Sequence, residues 1–276
     1  MFDAFDIHSH VNFVAFNEDR DEVIARAHKD GIGIINVGTQ KNTSESAIAL
    51  AEKYNSGMYA TVGIHPMFAA TDVFHDKKEL TDEEFSEENF TWDYNMYKKL
   101  GSHEKVVAIG ECGLDYFRTD EDSKARQVKI FEFQIDLANE LSKPLMFHVR
   151  GERGDDTAYE DALEILKKRS KVSGNFHFFA GSLNIAKRIW GAGYTTSFTG
   201  VITFTKDYDE TIKEAPIEKI MAETDAPYVA PALHRGKRNE PAYVFEVIKK
   251  IAEIRGEDLE SVKNELLKNS QKFFNI

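Results

Sequence analysis

The stretch Ala4-Phe5-Asp6-Ile7-His8-Ser9-His10 decides how the whole chain is read. A short run with strand character leads straight into two histidines separated by one serine. Such a run near the start of an α/β chain fits a buried parallel strand. An open doubly wound sheet would follow it with a phosphate loop of the form G-x-G-x-x-G. Here metal-ligand residue types follow instead. The end of a strand is where a (β/α)8 barrel keeps its reacting groups.

Seven more runs of the same kind follow, at residues 32–37, 59–63, 106–109, 145–149, 175–178, 194–198 and 220–222. Amphipathic segments separate them, at 18–29, 44–54, 123–141, 156–169, 183–190, 208–215 and 241–255, with Asn17, Thr43 and Ser182 as expected N-caps. In 123–141, Ile130, Phe133, Leu137 and Leu141 recur at three- and four-residue spacing, one apolar helix face. Parallel strands need long crossovers, and these segments supply them. The expected fold is therefore α/β, a (β/α)8 TIM barrel of the metal-dependent hydrolase type. No linker or shift of composition divides the chain, so residues 1–276 read as one barrel domain. An acidic excursion at about 67–97 interrupts it. It carries acids such as Asp72, Asp76, Glu79, Asp82, Glu83, Glu84, Glu87 and Glu88 but also Phe68, Phe74, Phe85, Phe90 and Trp92, too aromatic for a disordered insert, and is expected to lie over one end of the barrel.

Composition narrows the function. The chain has 276 residues, 42% hydrophobic and 30% charged, with a formal net charge of −12. A basic nucleic-acid coat protein is excluded, while local recognition of a phosphate polymer is not, because metal ions or a few arginines neutralise it at one place. One cysteine, Cys112, excludes an internal disulfide and a cysteine-rich zinc site. The N-terminus has neither a basic segment nor a long apolar one, and no run reaches bilayer length. A cytoplasmic protein without membrane contact is the expectation.

The chemistry collects at strand ends. Beyond His8 and His10, strand four ends in Gly110-Glu111, strand five in Phe147-His148, strand six in Phe176-His177 and strand eight in Glu223-Thr224-Asp225. A closed barrel gathers these ends around one mouth. Side chains two apart on a strand face the same way, so His8 and His10 can share one ion. Six ligands exceed the need of one tetrahedral ion, and two divalent cations are expected, bridged by a carboxylate. Glu111 is the candidate bridge. His8, His10 and Asp225 would hold one ion, with His148 and His177 on the other. Such donors suit zinc, manganese and similar metals, whereas magnesium would lean on the carboxylates and its own waters. Asp225 is the candidate general base toward the attacking water.

Several stretches now line up with a known family. They are Asp6-Ile7-His8-Ser9-His10, Val62-Gly63-Ile64-His65-Pro66, the run AIGECGLDY from Ala108 to Tyr116, and residues 144–148. His177-Phe178-Phe179-Ala180-Gly181, Glu223-Thr224-Asp225-Ala226-Pro227 and Arg238-Asn239-Glu240-Pro241 continue them, with Asn269-Ser270 and Phe274 at the end. In this order the chain resembles the TatD family of metal-dependent deoxyribonucleases, within the amidohydrolase-like barrels. The resemblance implies a hydrolase of phosphodiester bonds, typically of DNA and often from the 3′ end. It assigns the same six metal ligands as the strand-end reading. Ala180 stands where the family usually has serine, the segment after His148 departs from the family's, and the excursion is long. These departures bear on the substrate.

Around the mouth, His65, Arg118 and Arg150 are candidate substrate-binding residues, the arginines as phosphate clamps. Asp115 is open between orienting a ligand, positioning an arginine and forming a turn. Tyr116, Phe117 and Tyr228 are candidate stacking partners for a base, and Asn239 is expected to organise the last loop. Cys112, adjacent to Glu111, points the other way into packing. The sequence thus points to a metal-dependent deoxyribonuclease, an exonuclease acting on locally bound DNA. A small-molecule amidohydrolase or phosphoesterase is the alternative, disfavoured by a glutamate where many such barrels use a carboxylated lysine. A non-catalytic scaffold would have lost ligands, and all six are present.

Overall fold

The computed structural model describes residues 2–69, 76–81, 92–117 and 119–276. Eight parallel strands form one sheet in sequential order: β1 Ala4–Ser9, β2 Ile32–Val37, β3 Met58–Val62, β4 Val106–Asp115, β5 Leu145–Arg150, β6 Gly174–Phe176, β7 Thr195–Phe198 and β8 Ile220–Ala222. The sheet closes where Ser9 bridges Ala226, with the His10 N–H on the Ala226 carbonyl at 2.7 Å and the Asp225 N–H on the His8 carbonyl at 2.9 Å. Asp6 reinforces that seam from inside. Its carboxylate accepts the Thr224 N–H at 2.9 Å and the Thr224 hydroxyl at 2.5 Å. The (β/α)8 barrel is the observed fold.

Helices clothe the strands: α1 Arg20–Lys29, α2 Lys41–Glu52, α3 Tyr94–Gly101, α4 Glu121–Leu141, α5 Thr157–Arg169, α6 Leu183–Gly191, α7 Asp209–Glu214, α8 Val244–Arg255 and α9 Leu259–Phe274. The main core lies between this layer and the strands, which are buried on both faces and so read as near-continuous apolar runs. A second cluster of Phe5, Ile7, Ile35, Ala108, Met146 and Met221 is joined by Phe274 of α9. No helix of the described residues is long and apolar enough to cross a membrane.

Local departures from the sequence reading have physical causes. Ser182 caps α6 as expected, accepting the Ile185 N–H at 3.2 Å. Asn17 does not cap α1. It closes a short 3-10 turn at Val14–Phe16, its side-chain oxygen takes the Arg20 guanidinium at 2.6 Å, and the helix starts from Asp19. Thr43 sits inside α2 rather than before it, with its hydroxyl reaching back to the Gln40 N–H at 3.0 Å. Strand β4 runs on past residue 109 through a register shift between Ile109 and Cys112, so Glu111 lies within the strand. Bulges of this kind re-aim side chains. Gly110 makes this one passable: its φ is +153°, and a Cβ there would sit 2.5 Å from the Met146 carbonyl oxygen.

Of the excursion, residues 70–75 and 82–91 lie outside the described residues. Residues 76–81 dock on the loop after β1: the Ala15 N–H bonds the Lys78 carbonyl at 3.0 Å and the Val14 N–H bonds that of Glu79 at 3.3 Å. Glu79 is buried there, accepting from the Thr39 hydroxyl and, at 3.4 Å, from the Gln40 amide. The excursion's last residues, to which the sequence reading assigned no helix, begin α3 behind the N-cap Asp93, which accepts the Met96 N–H at 2.7 Å.

Candidate metal centre

The structure brings all six strand-end candidates together. His8 and His10 face each other across 3.2 Å, Nε2 to Nε2, as the two-residue period of a strand requires. Glu111 Oε2 lies 3.5 Å from His8 Nε2 and 3.9 Å from His10 Nε2, and Asp225 Oδ1 lies 3.8 and 3.4 Å from the same two nitrogens. Glu111 Oε1 turns to the other side, 2.8 Å from His177 Nε2 and 2.9 Å from His148 Nδ1. The two imidazole nitrogens are 3.4 Å apart. One oxygen of Glu111 therefore faces each group of candidate ligands.

These lengths test whether a cation fits. Tetrahedral ligands about 2.0–2.1 Å from zinc stand about 3.3–3.5 Å from one another. The first group, with separations of 3.2–3.9 Å, has those edges already. The second is drawn in to hydrogen-bond length around Glu111 Oε1 and would need a few tenths of an ångström of opening. The donor set fits divalent cations, and its His and Glu clusters could bind metal ions.

Neighbours fix each ring. His10 turns its Nδ1 to the Val37 carbonyl at 3.1 Å and stacks on Phe13 at 4.3 Å. His8 stacks on His177 at 3.7 Å and 9°. His148 Nε2 is bonded to Asp115 at 3.0 Å, leaving Nδ1 for the centre, so Asp115 orients a candidate ligand. His177 Nδ1 faces Glu223 at 3.4 Å. Such outer partners set which nitrogen is free to ligate. Glu223 was not singled out from sequence. It is fully buried, accepts the Phe178 N–H at 2.5 Å and the Ser197 hydroxyl at 2.7 Å, and its one sequence signal is its place two residues before Asp225.

Protonation follows from this packing. Burial opposes charge on Glu111, but His177 and the His148 hydrogen bond outweigh it and hold the carboxyl well below the usual range. Burial likewise opposes charge on His148, yet its bonds to Asp115 and Glu111 push it up to about 9. Burial and the adjacent His177 push His8 down to about 4. His65 goes to about 3, again through burial and then His148. Protons on His148 and His177 thus balance the buried carboxylates where cations would.

The remaining candidates divide. His65 joins the site, its Nε2 3.5 Å from Glu111 Oε1. Its Nδ1 accepts the Met67 N–H at 3.1 Å, so in the neutral ring the hydrogen is on Nε2, which makes it a donor toward the mouth. Arg150 is exposed at the end of β5, its guanidinium 4.0 Å over the Phe117 ring. Arg118 lies outside the described residues. Tyr116 and Tyr228 are committed to Asp161 and Asp76, at 3.0 and 2.6 Å. Cys112 is buried, its thiol pushed up by burial and donating to the Met146 carbonyl at 3.4 Å.

The loop carrying Asp225 is held tightly. Asp225 and Val229 both have left-handed φ, +57° and +48°, a conformation costing a β-branched residue about 1–3 kcal/mol. Asn239 compensates: fully buried, its amide donates to the Thr224 carbonyl at 2.8 Å and the Tyr228 carbonyl at 2.6 Å.

A parallel eight-stranded barrel with four imidazoles and two carboxylates converging at the C-terminal mouth is built as a metal-dependent hydrolase. The family model for TatD related DNase matches residues 5–275, and the chain belongs to that family of metal-dependent hydrolases. It is 36% identical over 277 residues to the uncharacterized metal-dependent hydrolase YabD of Bacillus subtilis, covering 99% of each. It is 29% identical over 282 residues to the 3′-5′ ssDNA/RNA exonuclease TatD of Erwinia amylovora, covering 99% of this chain and 100% of that one. Among solved structures, YjjV, a TatD homologue from Escherichia coli, superposes with a TM-score of 0.82 at 27% identity, over 99% of this chain and 98% of that one.

Proposed function

We propose that the protein is a two-cation phosphodiesterase that degrades DNA from a 3′ end, with its single barrel as the whole catalytic unit. The observation that carries the reading is the division of Glu111, one oxygen toward His8 and His10 and the other toward His148 and His177. A carboxylate so placed is suited to bridging two ions, with Asp225 completing the first group and Asp115 and Glu223 orienting the second. Zinc, manganese or magnesium bound there would acidify water and offset charge on the phosphoryl oxygens. Asp225 accepts the proton of the attacking water. His65, held with its Nε2–H toward the mouth, donates to a non-bridging phosphate oxygen, and Arg118 and Arg150 engage phosphates farther along the strand. The 3′ polarity is supported by the named activity of the Erwinia relative, which covers single-stranded DNA and RNA, and the reading as DNA by the description of the family.

Asp225→Asn tests the assignment. The amide keeps the shape and still offers an oxygen, but it cannot take the proton. Loss of DNA hydrolysis by at least ~10²–10⁴-fold is expected, the range for a positioned general base. Excess metal should restore a binding defect and leave a missing base unrepaired. Near-native turnover at normal metal content would remove Asp225 from this role.

A further inference from the structure

Among the described residues four large hydrophobic side chains are exposed: Trp92, Phe204, Leu233 and Leu259. Two of them, Phe204 at 41% and Leu233 at 76%, stand on adjoining loops after β7 and β8, at the end of the barrel that carries the metal centre. The loops are joined next to both residues, where the Ala232 N–H bonds the Thr203 hydroxyl at 2.8 Å. The Arg235 guanidinium lies over the Phe204 ring at 4.0 Å, and Arg235 is itself exposed.

The charge of this rim differs from that of the chain. Residues 232–238 read Ala-Leu-His-Arg-Gly-Lys-Arg, without an acid, in a protein of net charge −12. Arg238 turns inward to Asp19 at 2.6 Å, so it is structural. Lys206, Arg235 and Lys237 are exposed, and among the described residues none has an ion-pair partner. The nearest acid in sequence, Asp207, pairs with Arg153 at 3.4 Å. The platform is also rigid. Asn239 pins its loop, and Gly200 sits so close beneath that a Cβ would lie 2.8 Å from the Val229 carbonyl oxygen.

An exposed aromatic ring backed by a flat cation, with two free lysines beside it, matches a run of unpaired nucleotides. Bases stack on ring and guanidinium, while the lysines meet the phosphates. A duplex keeps its base faces stacked on one another and cannot use such a surface. We propose that Phe204, Leu233 and Arg235, flanked by Lys206 and Lys237, form a stacking subsite for single-stranded nucleic acid leading to the metal centre. The proposal rests on the nuclease reading of that centre.

The test is fluorescence anisotropy of the metal-loaded protein with labelled decathymidylate carrying phosphorothioate linkages, which resist cleavage. Phe204→Ala and Arg235→Ala should each weaken binding about 5- to 140-fold, from roughly 1–3 kcal/mol per stacked base at 1.4 kcal/mol per tenfold. Arg235→Lys, which keeps the charge without the plane, should fall between. Lys171→Ala, an exposed cation at the opposite end of the barrel, should bind as the parent does. Equal affinity in all four variants, or no binding by the parent, would overturn the subsite. Ordinary decathymidylate, assayed for cleavage in parallel, separates the two ideas. Platform-dependent binding without cleavage sustains the subsite and sinks the nuclease reading, whereas cleavage with binding indifferent to Phe204 and Arg235 does the reverse.

Discussion

At Glu111 the structure resolves a tension that any buried carboxylate creates. An ionised carboxyl out of water is costly unless it is paired and fully bonded. Here imidazoles surround it, and two of them keep protons that the solvent would otherwise have taken at neutral pH. The convergence was legible from sequence because His8 and His10 obey the two-residue period at the end of β1 and the other candidates lie in or just after the C-terminal halves of their own strands. For Asp115 the sequence left orienting a ligand open beside two other roles, and Glu223 was not singled out at all. Asp115 meets His148 through the pairing of β4 with β5, and Glu223 meets His177 across the mouth from the end of a strand that does not pair with β6, so neither contact is a local feature of sequence. Asp115→Asn follows as a test at this scale. The amide no longer holds a charge against His148 Nε2, so the ring loses its fixed orientation. Metal affinity or activity is expected to drop about 10–100-fold, the range for outer partners of metal ligands. Metal titration followed by calorimetry checks it, and saturating metal should recover most of the activity. Unchanged affinity would leave Asp115 as a turn residue.

Between elements, the loop after β8 is tied across the barrel seam to the loop before α1. Arg238 places both guanidinium nitrogens on the Asp19 carboxylate, at 2.8 and 2.6 Å, bonds the Ala15 carbonyl at 2.8 Å and covers Phe16. This bidentate hydrogen bond holds the Asp19 carboxyl below its ordinary value. The stability it gives is present above the unfolded pKa and lost as pH falls through the depressed one. Asp19→Asn should therefore lower the urea midpoint at pH 7 and leave it unchanged well below the usual aspartate value of about 3.9. The difference should be small, because Asp19 is 37% exposed and water screens the pair. A mutant equally weakened at both pH values would point to the hydrogen-bonded geometry rather than the charge. Elements themselves were read unevenly. Strands were clear, since burial on both faces leaves unbroken apolar runs. Helix α9 was missed because its buried face, Val262, Leu266, Ser270 and Phe274, is interrupted by a serine that bonds back to the Leu266 carbonyl at 2.9 Å. With a polar residue in the stripe, the apolar period breaks.

For the molecule as a whole, the barrel gathers ionisable groups where its own helices and strands exclude water. His8, His10, Glu111 and His177 are all buried at one mouth, with Glu223 fully buried behind them. A chain of net charge −12 adds to the field that draws cations there. Without cations the folded state keeps these groups by binding protons on rings that burial would otherwise leave neutral. Cations bound there would take the same groups as ligands, and their binding free energy would add to folding stability. Metal at a thousand times its dissociation constant stabilises by about 4 kcal/mol per site. For a chain of this length each kcal/mol moves the midpoint by roughly 2–4 °C, so removing metal should lower Tm by roughly 8–16 °C per site vacated. Calorimetry of protein dialysed against a chelator, with metal content measured alongside, reads the shift. Titrating zinc or manganese back should restore the midpoint, with saturation near two equivalents. In Glu111→Gln the restoration should be weaker at every metal concentration, because an amide oxygen carries no charge to share between ions. A parent protein whose midpoint ignores metal, at zero metal content before and full content after, would mean that these ligands do not bind a stabilising ion. The convergence at Glu111 would then have to be explained by proton-mediated pairing alone.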